Sequence, residues 1–232
     1  MFKDHLTRKN IIIGLAAVLA LAAAGFAIYK YASDDTVDQK QVNLSAEERQ
    51  RIESERSELE REIGELPAEA DPNRKFDLYF KLGEAERVLG NLEKSEKSFL
   101  TASEINAKES LVWEALSDVQ SERNKFKEAL KSIDTALFLA SGEARYWLKK
   151  ISISENGLAA TYEEIESLYN EAFFATNIHQ DIAIAYARRR EARGEIGSAL
   201  SYYRIALQRD PENEAIKKEI RRLEEAIKNI NN

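Results

Sequence analysis

The chain has 232 residues and a formal net charge of −7 at pH 7, and this acidic balance opposes binding to nucleic-acid phosphates. It contains no cysteine, which excludes a disulfide framework and thiol chemistry. Only three prolines and nine glycines stand among many Glu, Lys, Ala and Leu residues, so the composition predicts an all-α fold.

The first predicted element is an apolar helix near the N-terminus. Residues 11–29 contain no charge over nineteen positions, which is long enough to cross a bilayer core, and Tyr29 and Tyr31 are candidate interface anchors. We predict a tail at residues 1–10 and a transmembrane helix at residues 11–30. The alternative is a cleaved signal peptide with a small-residue site at residues 22–24, but the apolar region of such peptides spans only about 7–15 residues.

The charges that flank this helix predict its orientation. Lys3, Arg8 and Lys9 precede it, and basic residues stay in the cytoplasm. We therefore expect a single-pass membrane protein whose C-terminal part is extracytoplasmic, and periplasmic in a bacterium. A cytosol-facing receptor on an organelle membrane is the alternative.

A polar tether and a charged helical stalk follow at residues 31–75. Ser45 and Glu48 have the spacing of a capping box, and a helix rich in Glu and Arg should run to Leu66, before Pro67 and Pro72. This helix could be a solvated stalk, pack on the domain that follows, or form a short homodimeric coiled coil. A homo-oligomer through the stalk or the transmembrane helix is thus possible.

An alanine then recurs at intervals of 34, 36 and 34 residues, with an aromatic or large apolar residue three positions before it each time. A fixed period near 34 predicts stacked two-helix units, because each unit exposes an apolar face that only a neighbouring unit covers. We place the units at residues 76–109, 110–143, 144–179 and 180–213. The recurring residues are Ala102, Ala136, Ala172 and Ala206.

Further residues keep the same order within the units. In the first unit they are Tyr79, Leu82, Gly83, Gly90, Leu92 and Phe99; in the second, Trp113, Leu116, Phe126 and Ala129; in the fourth, Tyr186, Ala187, Gly194, Ala199, Tyr203 and Pro211. With the alanines, this pattern resembles the tetratricopeptide repeat (TPR) family over about 145 residues. The resemblance implies an α-solenoid whose packing residues include those named above and, in the third unit, Trp147, Tyr162 and Tyr169.

The third unit departs from the pattern. Tyr162 follows Trp147 by fifteen residues, whereas Phe126 follows Trp113 by thirteen, so two residues are inserted. We expect them to lengthen a turn near Glu155, Asn156 and Gly157, because Asn-Gly interrupts helical periodicity.

The last predicted element, at residues 214–232, is a helix with one apolar stripe. This stripe suits a helix that caps the last repeat, and a dimerising coiled-coil strand is the alternative. Its residues are Ile216, Ile220, Leu223, Ile227 and Ile230.

Catalytic chemistry is not indicated. The only histidines are His5 and His179, and the sequence has no HExxH, no phosphate-binding glycine loop and no nucleophile elbow. We predict no enzyme activity, no cofactor and no metal site. A dense basic cluster at residues 188–193 is interpreted as solvated side chains that pair with nearby glutamates, and a site for an anion or an acidic peptide is the alternative.

The resemblance instead implies recognition of a protein or peptide in a concave groove lined by the first helix of each unit. Places two, five, nine and twelve of each unit supply the candidates, and their mixed apolar and acidic character suits an extended segment with apolar and basic residues. They are Asp77, Phe80, Glu84, Arg87, Leu111, Glu114, Asp118, Ser121, Arg145, Leu148, Ser152, Asp181, Ile184, Arg188 and Glu191.

The fifth places of the units are Phe80, Glu114, Leu148 and Ile184. They lack the Lys and Asn of the carboxylate clamp that binds acidic chaperone tails, so such a role is not expected. A membrane-anchored adaptor or scaffold is the predicted function. A holdase-like chaperone beside a secretion channel and a purely structural spacer are the alternatives.

Overall fold

A computed structural model describes residues 44–230 of the protein. The predicted tail at residues 1–10 and the transmembrane helix at residues 11–30 lie outside the described residues. Within residues 44–230, no helix combines the length and apolar character that crossing a membrane requires.

The described part of the chain is all-helical, with ten α-helices and one π-helical segment. A single helix, α1, precedes four helix pairs, which we call units one to four, and a last helix follows them. The helices are α1 (Ala46–Glu65), α2 (Pro72–Val88), α3 (Leu92–Ile105), α4 (Ser110–Glu122), α5 (Phe126–Leu139), α6 (Ala144–Ser152) with its π-helical extension (Ile153–Gly157), α7 (Tyr162–Ala175), α8 (Gln180–Ala192), α9 (Ile196–Arg209) and α10 (Glu214–Ile230).

The stalk helix α1 packs against α2, the first helix of unit one. Its N-terminus carries the predicted capping box, in which the Ser45 hydroxyl accepts from the Glu48 N–H and the Glu48 carboxylate accepts from the Ser45 N–H. Leu59 is buried at the contact. Of the arrangements considered for this helix, the structure thus shows packing on the first repeat.

Close packing within units one, two and four depends on small residues at equivalent positions of the two helices. In unit one, the Ser95 hydroxyl donates to the Gly83 carbonyl at 2.7 Å, which is possible only where the backbones approach. The equivalent pairs in units two and four are also small and fully buried: Ser117 with Ala129, and Ala187 with Ala199.

Unit three has isoleucines at these two positions. Ile151 on α6 and Ile165 on α7 are both buried, and their bulk separates the helices, which approach each other at far fewer residues than the pairs of the other units do. The third unit is therefore more widely spaced than its neighbours.

The two inserted residues do not form the turn expected at residues 155–157. That expectation was wrong, because α6 continues through this segment as a π-helix, in which the Leu158 N–H donates to the Ile153 carbonyl. The chain turns only afterwards, at Ala159, which has a positive φ of 51°. Gly157 ends the π-helix against the Phe126 side chain of unit two, where a side-chain carbon would overlap the ring. The wider turn of the π-helix thus absorbs the insertion.

Three apolar clusters fill the solenoid from unit one to α10. Most of the residues predicted to pack the repeats are buried in them: Phe99, Ala102, Leu116, Ala129, Ala136, Trp147, Tyr169, Ala172, Ala199, Tyr203 and Ala206. Leu82, Trp113, Phe126 and Tyr162 differ, since each stays partly exposed. The helix α10 closes the stack with Ile216, Ile220 and Leu223 buried against α9.

Two of the aromatic residues anchor the loop that precedes their helix. The indole N–H of Trp113 donates to the Ala107 carbonyl at 2.9 Å, and that of Trp147 donates to the Ser141 carbonyl at 2.7 Å. The repeated bond explains why both positions hold tryptophan: one face of the ring packs while the polar edge satisfies a loop carbonyl.

Candidate functional site

The candidate groove residues lie on α2, α4, α6 and α8, the first helices of the four units; we call the side of the solenoid that they form the first-helix surface. Five of the candidates are exposed: Asp77, Leu111, Arg145, Asp181 and Arg188. The others are partly buried: Phe80, Glu84, Arg87, Glu114, Asp118, Ser121, Leu148, Ser152, Ile184 and Glu191.

The apolar candidates contribute unequally to this surface. The Phe80 ring stacks on Phe76, with 5.8 Å between centroids, and meets the edge of Phe99 at 5.4 Å, so it also supports the core of unit one. Leu148 and Ile184 are partly covered by the same clusters that they pack against. Leu111 is 42% exposed and is the most accessible apolar side chain of the set.

The charged candidates pair with one another between neighbouring first helices. Arg87 on α2 donates to Glu122 of α4 at 2.6 Å and to Asp118 at 3.3 Å. These side chains are about one quarter to one third exposed, so solvent screens their attraction only partly.

The row of ion pairs continues from α4 to α6. Glu114 accepts from Lys149 at 3.2 Å and lies 3.5 Å from Arg145, and Lys149 also contacts Asp118. Lys149 therefore joins two carboxylates of α4. Units one, two and three are connected by continuous charge pairing across the first-helix surface.

Single pairs extend the pattern towards the C-terminus. Glu155 of the π-helical segment pairs with Arg189 of α8, and Glu191 of α8 pairs with Arg222 of α10 at 2.7 Å. The charged residues of the first-helix surface thus serve the assembly of the repeats as well as any ligand.

Sequence reasoning missed Glu122 and Lys149, although a signal for them exists. Within this row the paired residues stand 31 or 35 positions apart, as in Arg87 with Asp118 and Arg87 with Glu122. These separations bracket the 34-residue repeat and differ by four, one helical turn. Opposite charges at 31 and 35 positions would have identified the row before the structure did.

Glu84 differs from the other acidic residues of this row. It is partly buried, and it makes no hydrogen bond or ion pair with its side chain in the part of the chain that the structure describes. Burial raises the pKa of its carboxyl, and the nearby Asp118 and Glu122 carboxylates raise it further, against the opposing effects of Arg87 and Lys149. Glu84 is thus a carboxylate that a cation from outside would stabilise.

The basic cluster at residues 188–193 is largely engaged within the protein. Arg189 and Arg190 pair with Glu155, Glu166 and Glu195, and the Arg193 guanidinium lies 4.0 Å from the centre of the Tyr162 ring. Tyr162 is partly exposed because it packs against this guanidinium rather than within an apolar cluster. Arg188 and Arg193 are exposed, whereas Arg189 and Arg190 are partly buried.

The histidine of the described residues has a structural role, and no metal-site geometry is found among them. His179 caps α8, where its Nδ1 accepts from the Asp181 N–H at 3.2 Å. Within residues 44–230, no group of three His, Asp or Glu side chains has the arrangement of a metal site. The first-helix surface can offer apolar contacts, hydrogen bonds and charges to a ligand.

The sequence matches no protein-family model and none of the curated proteins. Among solved structures, the chain is similar to a tetratricopeptide repeat protein from Parabacteroides merdae, with a TM-score of 0.57 and 16% identity over 74% of this chain; it spans 65% of the length of that protein. A thermophilic TPR protein from Thermus thermophilus gives a TM-score of 0.51 and 17% identity over 75% of this chain and 90% of that one. MamA gives a TM-score of 0.53 and 14% identity over 73% of this chain and 96% of that one. The chain therefore has the all-helical fold of tetratricopeptide repeat proteins.

Proposed function

We propose that this protein is an adaptor that binds an extended segment of a partner protein along its first-helix surface. The observation that carries the proposal is Glu84, a partly buried carboxylate with no ion pair of its own among the described residues, on a surface where the neighbouring charges are paired. Exposed Leu111 lies on the next first helix and offers an apolar contact. A segment with a basic residue and an apolar side chain suits this combination.

The pairing of the other charges gives the surface its selectivity. Because Asp118 and Glu122 already bind Arg87, an added carboxylate from a ligand would meet like charges with no free cation beside them. An added Lys or Arg would instead join Glu84. We therefore expect acidic segments to be rejected and basic ones accepted.

The adaptor is proposed to be anchored in a membrane, with the repeats on the extracytoplasmic side. Support comes from the uncharged run at residues 11–29 and from the basic residues Lys3, Arg8 and Lys9 before it. Anchoring would raise the local concentration of the surface, so that weak binding becomes effective. A reporter that is active only in the cytoplasm, fused to the C-terminus, should be inactive; activity would contradict the orientation.

The binding surface can be tested by photo-crosslinking in cells. A photoreactive amino acid placed at Leu111, Leu148 or Ile184 should capture one defined partner, identified by mass spectrometry. The same residue at Glu104, which is exposed on α3, is the control and should capture none. Crosslinks that arise only from α1 or α10 would refute the proposal, and many weak clients would favour a holdase.

Glu84→Gln should stabilise the fold at neutral pH and weaken binding. At low pH, the Glu84 carboxyl is protonated in both the folded and the unfolded wild-type chain. As the pH rises past 4.5, the usual pKa of a glutamate, Glu84 ionises first in the unfolded chain. The free energy of unfolding therefore falls until the pH passes the higher pKa that Glu84 has in the folded chain. Glutamine removes this loss, and we expect a higher midpoint of thermal unfolding at pH 7 and little change at pH 4.

The second half of this prediction concerns the partner. At pH 7, Glu84→Gln should lower the yield of the crosslink at Leu111, because the partner's cation loses its carboxylate. Glu104→Gln is the matched control and should change neither quantity. An unchanged crosslink yield in Glu84→Gln would show that the carboxylate serves no ligand.

A further inference from the structure

Two phenylalanines stand almost fully exposed on the second helices of units two and three. Phe138 on α5 is 88% exposed and Phe174 on α7 is 92% exposed. Each follows a fully buried recurring alanine by two positions, Ala136 and Ala172, so the two rings occupy equivalent places on adjacent units. Large apolar side chains exposed at equivalent positions of adjacent units are candidates for an interaction site.

The aromatic pair is confined to these two units. The equivalent positions of units one and four hold exposed Glu104 and Gln208. The repeat pattern therefore does not require an aromatic residue at this place, and packing within the chain does not use one.

The faces of α5 and α7 that carry the two phenylalanines also carry exposed charged side chains, which are lysines on α5 and a glutamate on α7. On α5, Lys127 and Lys131 precede Phe138 by eleven and seven positions, and both are exposed. On α7, exposed Glu163 precedes Phe174 by eleven. Residues seven and eleven positions apart share one face of a helix, so each helix carries a charged end and an aromatic end along a single stripe.

We propose that a second copy of this chain binds the face formed by Lys127, Lys131 and Phe138 of α5 and Glu163, Ser167 and Phe174 of α7. The two copies are related by a twofold axis that runs parallel to α5 and α7. This operation sets α5 of one copy against α7 of the other in the same direction. Phe138 then meets Phe174 of the second copy, and Lys127 meets Glu163 of the second copy.

The charge pattern is what selects a second copy as the occupant. A twofold contact uses the same face twice, so the face must complement itself. Here the lysines of α5 complement Glu163 of α7, and Lys127 and Glu163 lie equally far along the helix from their phenylalanines; Asp134, which lies between the lysines and Phe138, is already paired with Lys150 of its own chain. Contact of α5 with α5 would instead set lysine against lysine. Within residues 44–230, neither Lys127 nor Glu163 has an ion-pair partner in the same chain, so both are available.

The proposed contact is small. Stable interfaces bury roughly 800 Å² on each partner, and two rings with a few polar side chains provide less. We therefore expect reversible self-association that increases with concentration. It is independent of ligand binding, because the residues involved lie on second helices.

Disulfide trapping tests the geometry, and the natural absence of cysteine makes it clean. Two full-length chains with different tags, one carrying Phe138→Cys and the other Phe174→Cys, are expressed together and oxidised in the cells that produce them. The mixed crosslink should form several times faster than the crosslink between two Phe138→Cys chains. Glu104→Cys with Gln208→Cys is the control pair. A mixed crosslink no faster than this control would overturn the proposal.

Measurements on the full chain, kept soluble by a mild detergent, test the energetics. Phe138→Asp with Phe174→Asp should raise the dimer dissociation constant at least about tenfold, measured by sedimentation. Lys127→Glu should weaken self-association, and adding Glu163→Lys should restore it. The thermal midpoint of each variant should stay unchanged because the side chains are exposed, and Glu84→Gln should leave self-association intact. A wild-type chain that is monomeric at every concentration, or a Phe138→Asp, Phe174→Asp chain that dimerises like wild type, would refute the twofold contact.

Discussion

Replacing Gly83 with alanine should lower the free energy of unfolding by about 1–2 kcal/mol. A Cβ at this position would lie 2.6 Å from the nearest Phe99 ring atom, closer than van der Waals contact allows. The Phe99 ring is fully buried and meets Phe80, so it has little room to move. Overpacking outweighs the gain of up to about 1 kcal/mol that alanine brings to a helix. Thermal unfolding of the full chain, followed by circular dichroism, measures the change.

Gly64 offers a matched control on α1. Nothing lies within 4 Å of a Cβ built there, so Gly64→Ala should leave stability unchanged or slightly raised. A second check replaces Phe99 with leucine, which shortens the side chain on the other side of the contact. The combined loss in Gly83→Ala, Phe99→Leu should be smaller than the sum of the single losses. If the losses of stability in the two single variants added up strictly, residues 83 and 99 would not be in steric conflict.

The helix pairs could be predicted from the sequence because their packing rule is local and repeated. Units one, two and four place small residues where the two helices approach, and the recurring alanines give the period that aligns these positions from unit to unit. The wide third unit was only partly foreseen. Its inserted residues were visible, but a π-helix depends on how Gly157 meets Phe126 of the preceding unit, and this contact is not encoded in the spacing.

The candidate surface illustrates a different limit. Its helices were predictable, and so were positions such as Glu114 and Asp118. Their partners were not, because an ion pair between neighbouring units depends on the relative height of the two helices. The pKa of Glu84 depends in turn on which charged side chains lie near it and on the ion pairs that these already form. The repeat pattern therefore predicts where the surface lies. Which of its charged groups lack a partner can be known only from the side-chain arrangement.

Glu114→Lys should have the largest effect on the first-helix surface. The substitution sets a cation beside Arg145 and Lys149, which both contact the wild-type carboxylate. Glu114 is only 17% exposed, so the repulsion is weakly screened, and we expect a loss of about 2 kcal/mol. For a domain of this size, this corresponds to a thermal midpoint about 4–8 °C lower. Glu104→Lys, the same substitution at an exposed site on α3, is the control and should change the midpoint little.

A compensating substitution separates the loss of pairing from other damage. In Glu114→Lys, Arg145→Glu the charges are exchanged while Lys149 keeps Asp118, so part of the lost stability should return. No recovery would show that the destabilisation has another origin than this ion pair.

Below its unfolding temperature, Glu114→Lys also distinguishes an adaptor from a spacer. The new cation lies on the helix that carries Leu111 and would repel the basic residue that the proposed partner brings to this surface. The crosslink at Leu111 should therefore fall while the chain remains folded. A spacer would tolerate the change, because its role requires only that the solenoid stays intact. A folded Glu114→Lys chain that captures its partner as wild type does would thus assign the row of ion pairs to assembly alone.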